Sequence, residues 1–141
     1  MTHHIAITFG PVAGTGAGLG QAGAKSLIAD RPEGKAGGTG LGFNGGELLA
    51  SALGGCLWND LHYAADAAGV AVRVDTVEAE IELAGTPPRV VRGRLAVGLS
   101  GADEAGRAQV FEAACEGSTI ANSLTAAFSI NFELRPTGAK R

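Results

Sequence analysis

Apolar residues recur at steps of three and four along residues 47–68. Leu48, Leu49, Ala52, Leu53, Cys56, Leu57, Leu61, Ala64, Ala65 and Ala68 make a wide stripe, the mark of a helix that buries one face. From Leu48 to Trp58 the run carries one hydroxyl and no charge, so this half is expected to be covered by protein on all sides. Asn44 precedes the run and Glu47 follows three positions on, the spacing of a capping box. Gly69 is a natural stop. The helix predicted over 47–68 would be roughly 33 Å long at 1.5 Å per residue. Asn59, Asp60, His62 and Asp66 end the apolar run too early for a membrane span. Gly54 and Gly55, next to Cys56, each cost about 1 kcal/mol in a helix interior. They point either to close packing against a second helix or to space beside the thiol for a substrate.

Elsewhere the period is two. Ile5, Ile7 and Phe9 predict a short strand. Residues 10–23 are rich in glycine and predict a break in regular structure. The literal G-x-G-x-x-G at Gly18 to Gly23 lacks a helix long enough to follow it, since Arg31-Pro32 comes soon after. A hairpin tip is therefore expected there, and not a nucleotide loop. Residues 25–29 read as a strand, 30–34 as a turn and 37–45 as a second glycine-rich loop. After Gly69, Val70, Val72 and Val74 alternate in one phase and Val77, Ala79, Ile81 and Leu83 in the other. That predicts a bulge near Thr76. A turn at 85–88 leads to a strand through Val91, Leu95, Val97 and Leu99, with Glu82 opposite Arg92 and Glu80 opposite Arg94. The solvated outer face of a sheet accounts for these charges better than a binding face does. Asp103 caps a helix predicted over 104–115, with Ala108, Phe111 and Cys115 on one face. Ser118 caps a short helix to about residue 126, and 128–134 form a last strand. Residues 136–141 read as a loose tail. The order of elements is that of an α+β domain.

Composition bounds the function. At 141 residues the chain suits a single domain, 1–141, with one core. Apolar residues are 45% and charged residues 18%, as in globular chains. Net charge is −3 without a basic run, which argues against nucleic acid as a partner. The start, Met1-Thr2-His3-His4-Ile5, has no basic and apolar signal regions, so a cytoplasmic protein with free thiols is expected of Cys56 and Cys115. His3 and His4 lack ligand companions, so no metal is expected.

The run Asp30-Arg31-Pro32-Glu33, then Gly37-Gly38, then Glu47-Leu48-Leu49-Ala50-Ser51-Ala52-Leu53-Gly54-Gly55-Cys56 resembles the OsmC/Ohr family of thiol peroxidases and their OsmC-like relatives. The likeness extends to Ser118-Thr119-Ile120-Ala121-Asn122-Ser123-Leu124. It implies an α+β fold in which long central helices are wrapped by antiparallel sheets in an intertwined homodimer. It also implies attack by a central-helix cysteine on an organic hydroperoxide, a second cysteine that resolves it, and reset by an external dithiol, with no bound cofactor. An arginine and a glutamate hold the first thiol reactive in such proteins.

Carried over by position, Cys56 is the attacking cysteine and Arg31 the candidate activator. The place of the family's glutamate is Gly46, with Glu47 one position off. The place of the second cysteine is Ser118, with Cys115 three residues earlier as the candidate resolver. Glu47, Asn59, Asp60 and Ser118 are candidates for the substrate pocket. Burial raises a thiol's pKa, and only the thiolate attacks well, so this chemistry needs a charged partner and access. The leading expectation is therefore a thiol-dependent peroxidase acting on organic hydroperoxides in oxidative or osmotic stress. The alternative is a non-peroxidatic relative that binds a small apolar ligand in an interface pocket, a reading motivated by Gly46 and Ser118.

Overall fold

The first sheet explains why a glycine-rich stretch folds as it does. In the computed structural model, which describes residues 1–139, strands β1 (Thr8–Pro11), β2 (Gly18–Ala22) and β3 (Lys25–Ala29) pair antiparallel in that order. Phe9 lies opposite Gly20. A side chain at Gly20 would meet the Phe9 ring at 2.7 Å, so the glycine gives the ring its place. This corrects two expectations. The first strand runs from Thr8 and leaves Ile5 and Ile7 outside it, and part of the glycine-rich stretch is itself a strand. The third strand has the predicted bounds.

The chain divides into two compact units, the first ending at Leu48 and the second starting at Leu49. In the first, buried Asp30 pins the loop that follows β3. Its carboxylate accepts from the backbone N–H groups of Arg31, Thr39 and Leu41 and from the Thr39 hydroxyl, at 2.7–3.1 Å. Phe43 then donates to the Ile28 carbonyl at 2.8 Å.

Helix α1 (Gly45–Ala68) starts two residues before the predicted bound. Its start is the expected capping box: Glu47 N–H donates to Asn44 Oδ1 at 3.0 Å, and Asn44 N–H donates to the Glu47 carboxylate at 2.8 Å. No helix among the described residues is long and apolar enough to cross a membrane.

In the second unit β4 (Arg73–Ala84), β5 (Arg89–Ser100) and β6 (Ser129–Leu134) form a sheet in that order. Glu82 faces Arg92, Glu80 faces Arg94, and the register shifts between Val74 and Thr76, as the phase change predicts. The outer face is charged. Arg94 reaches Glu78 at 3.0 Å and Glu133 at 2.8 Å, and Arg135 joins Glu78 at 2.9 Å. These pairs are only partly shielded from solvent, and ion pairs near the surface contribute little each. The sheet is mixed and not wholly antiparallel, because β6 runs parallel to β5. The crossover that parallel pairing requires is made by α2 (Glu104–Gly117) and α3 (Thr119–Leu124). Asp103 caps α2, accepting from Gly106 N–H at 2.7 Å.

Leu53, Leu57 and Leu61 of α1 share the core with Leu95, Val97 and Leu99 of β5, Val110 and Ala114 of α2, and Ala121 of α3. The inward face of α2 thus centres on Val110 and Ala114, with Phe111 and Cys115 at its margin; Ala108 is partly buried. Helix α1 buries one stripe and is not covered all round: Ser51, Ala52, Gly55 and Trp58 are exposed. A Cβ on Gly54 would lie 3.0 Å from the Ala79 Cβ, so the element that approaches there is strand β4 and not a helix. Gly55 faces open space. Of the tail, Ala139 N–H closes a turn on Pro136; residues 140–141 of the expected loose tail lie outside the described residues.

Candidate functional site

Cys56 stands midway along α1 and is half-buried. Asp60 follows by four positions, the spacing that places two side chains on one helix face. The Cys56 thiol donates to Oδ2 of Asp60 at 3.3 Å. A second group arrives from the far end of the sequence: the Ser118 hydroxyl donates to the Cys56 sulfur at 3.8 Å. Ser118 is fully buried at the junction of two helices. Its N–H donates to the Cys115 carbonyl at the end of α2, and its carbonyl accepts from Asn122 N–H at the start of α3. A serine at a helix start ordinarily turns its oxygen to the first backbone N–H groups. Here the hydroxyl makes no cap bond and points to the sulfur instead.

The other thiol has different surroundings. Cys115 packs against the hydrophobic core. Burial pushes its pKa up to about 12, with Glu112 and Glu116 adding to the rise. A thiol in that state is protonated at neutral pH and a poor nucleophile.

The remaining candidates are placed as follows. The Glu47 carboxylate serves the capping box of α1. Asn59 and His62 are exposed, and the His62 ring lies 5.7 Å from that of Trp58. Arg31 belongs to the first unit, where Nη1 donates to the Gly16 carbonyl at 3.1 Å and Nη2 lies 3.6 Å from Asp30. Its Nε is buried without a partner. It borders an open cleft of about 530 Å³ with Gly16, Pro32, Phe43 and Leu48. This cleft joins residues from the loop before β2, the loop after β3 and the start of α1, and no single stretch of sequence announces it. Within its own unit, the charged partner of Cys56 is a carboxylate.

The family model for OsmC-like proteins matches residues 38–133. The chain belongs to the OsmC-like family. Among solved structures it is similar to a Psychrobacter arcticus protein assigned to osmotic stress induction and detoxification response. They share 17% identity with a TM-score of 0.76, over 96% of this chain and 98% of that one. It is similar also to an OsmC-like protein of Mycoplasma pneumoniae, at 16% identity and TM-score 0.75, over 97% and 99% of the two chains. The organic hydroperoxide resistance protein OhrB of Bacillus subtilis shares 17% identity with a TM-score of 0.68, over 94% and 98%. No curated protein matches the sequence. In this OsmC-like chain the matched residues include Cys56, Asp60, Cys115 and Ser118, whereas Arg31 falls before them.

Proposed function

We propose that this OsmC-like protein reduces organic hydroperoxides with Cys56 as the attacking thiol. The observation that carries the reading is the half-buried Cys56 sulfur, held between a carboxylate that accepts its proton and a hydroxyl that donates to it. The organic hydroperoxide resistance proteins among the structures of like fold support the same reading.

The chemistry follows from that geometry. The sulfur attacks the distal oxygen of the hydroperoxide, and the O–O bond breaks. Asp60 takes the thiol proton, which passes to the leaving alkoxide to give the alcohol. Cys56 is left as a sulfenic acid, oxidised by two electrons. The Ser118 hydroxyl stabilises the negative charge on sulfur as the thiol gives up its proton, before the attack carries that charge to the departing oxygen. An external thiol then restores the cysteine. A homodimer is the assembly this reading takes, with the exposed Ala52, Gly55 and Trp58 face of α1 as the surface for a second copy.

Cumene hydroperoxide with excess thiol tests the reading. The parent is expected to consume peroxide and Cys56→Ser to consume none. Asp60→Asn is expected to slow oxidation of Cys56 by roughly 10²-fold, the lower range for a positioned general base. Equal consumption by parent and Cys56→Ser overturns it. A second reading, binding of a small apolar molecule without turnover, is favoured by the open cleft beside Arg31. It predicts ligand binding that is insensitive to Cys56→Ser.

A further inference from the structure

A sulfenic acid returns to the thiol by way of a second thiol, and the geometry around Cys56 restricts where that thiol comes from. The side chains on its sulfur are Asp60 and Ser118. Neither forms a disulfide. The turn between α2 and α3 is the segment that reaches the sulfur, and the residue it presents there is a serine. Cys115 stands three positions earlier, about one helical turn back along α2. It packs against the core cluster around Val110 and Ala114, and its carbonyl accepts the N–H of Ser118. Cys115 is partly buried at the margin of that core, and the contacts of the Cys56 sulfur are made by Asp60 and Ser118 instead. Cys56, in contrast, retains exposed surface.

We infer that Cys56 works as a single redox-active cysteine whose sulfenic acid is reduced by a small monothiol from solution through a mixed disulfide. The inference rests on the peroxidase reading and names the class of its reductant. In the first step the monothiol sulfur attacks the Cys56 sulfur. The S–O bond breaks, water leaves with the monothiol proton, and a mixed disulfide forms. In the second step another monothiol molecule attacks the monothiol sulfur of that disulfide. Cys56 leaves as the thiol and the small disulfide departs. Over the cycle one hydroperoxide and two monothiols give one alcohol, one water and one small disulfide. Asp60 is placed to accept the proton of each incoming thiol and to return one to Cys56.

Two measurements test this. In the first, which needs no peroxide, the native protein is treated with Ellman's disulfide and its peptides are mapped without reduction. The expected product is a mixed disulfide on Cys56 that persists. Its collapse into a Cys56–Cys115 bridge, within one chain or between two copies, overturns the inference. In the second, hydroperoxide turnover is compared with glutathione and with dithiothreitol. Glutathione alone is expected to sustain turnover, in the parent and in Cys115→Ser alike. Turnover confined to dithiothreitol and lost in Cys115→Ser overturns the single-cysteine cycle and leaves the peroxidase reading standing. Failure to consume peroxide with either reductant overturns the peroxidase reading itself. Because Cys115→Ser alters a partly buried position packed against the core, Ser118→Cys provides a second variant. It is expected to form a disulfide with Cys56 on adding peroxide and to shift the requirement from monothiol to dithiol. Absence of that bridge in a folded Ser118→Cys protein counts against the geometry on which the inference stands.

Discussion

Asp30 shows how one side chain can organise a loop. Its carboxyl is held down at about 2, against an ordinary value of 3.8, chiefly by the Thr39 hydroxyl and further by the N–H groups of Thr39, Leu41 and Arg31. A carboxyl lowered by folding favours the folded state at pH values above its unfolded pKa. That contribution is lost as pH falls through the folded value. Protection of the backbone over residues 39–43 from hydrogen exchange is therefore expected to hold at neutral pH and to decline between about pH 4 and pH 2. Asp30→Asn is expected to lower protection at pH 7 and to abolish the decline. An unchanged acid profile in the variant would assign the loop's order to something else. At this scale the candidate site was partly legible. Cys56 could be picked out because its helix motif is local, and Asp60 because it lies one turn away. The contact with Ser118 was not legible as a contact, because it depends on how the α2–α3 turn is packed 62 positions later.

Helix α1 illustrates what periodicity conveys and what it leaves out. Its end and its capping box could be read from spacing alone, while its start lies two residues before the predicted one. Which apolar residues stay exposed could not, because a run that is apolar nearly all round has no preferred face. The decision falls to the neighbours: β4 approaches at Gly54, and the core takes Leu53, Leu57 and Leu61. Gly54→Val forces a branched side chain against Ala79 and is expected to destabilise by about 1–3 kcal/mol. Leu57→Ala is expected to cost about 2–5 kcal/mol. Urea denaturation of both variants checks the pair; a neutral Gly54→Val would mean that β4 can give way. Strand β2 escaped the sequence because its glycines read as breaks, while their use is to seat Phe9. The parallel direction of β6 escaped it because alternation is the same whichever way a strand runs.

For the whole molecule, the exposed face of α1 bears on assembly. Its exposed residues Ala52, Gly55 and Trp58 form a face that two copies of the chain would share under the proposed homodimer. Sedimentation equilibrium is expected to give twice the chain mass, and Gly55→Glu to return the single-chain mass with helical content intact. A parent that sediments as a single chain removes the homodimer from the proposal. Family membership follows from the match over residues 38–133, which spans both the thiol-bearing helix and the turn that touches it.

Strand β5 supplies Leu95, Ala96 and Val97, all fully buried, and it lies between β4 and β6. One of its edges is filled by the hairpin partner made just before it, and the other by residues 129–134. During synthesis the ribosome therefore releases the middle of this sheet well before the piece that closes it. Until then the nascent chain carries an apolar strand with one open side, a template for the wrong neighbour. A message truncated after α3 would leave that side open permanently.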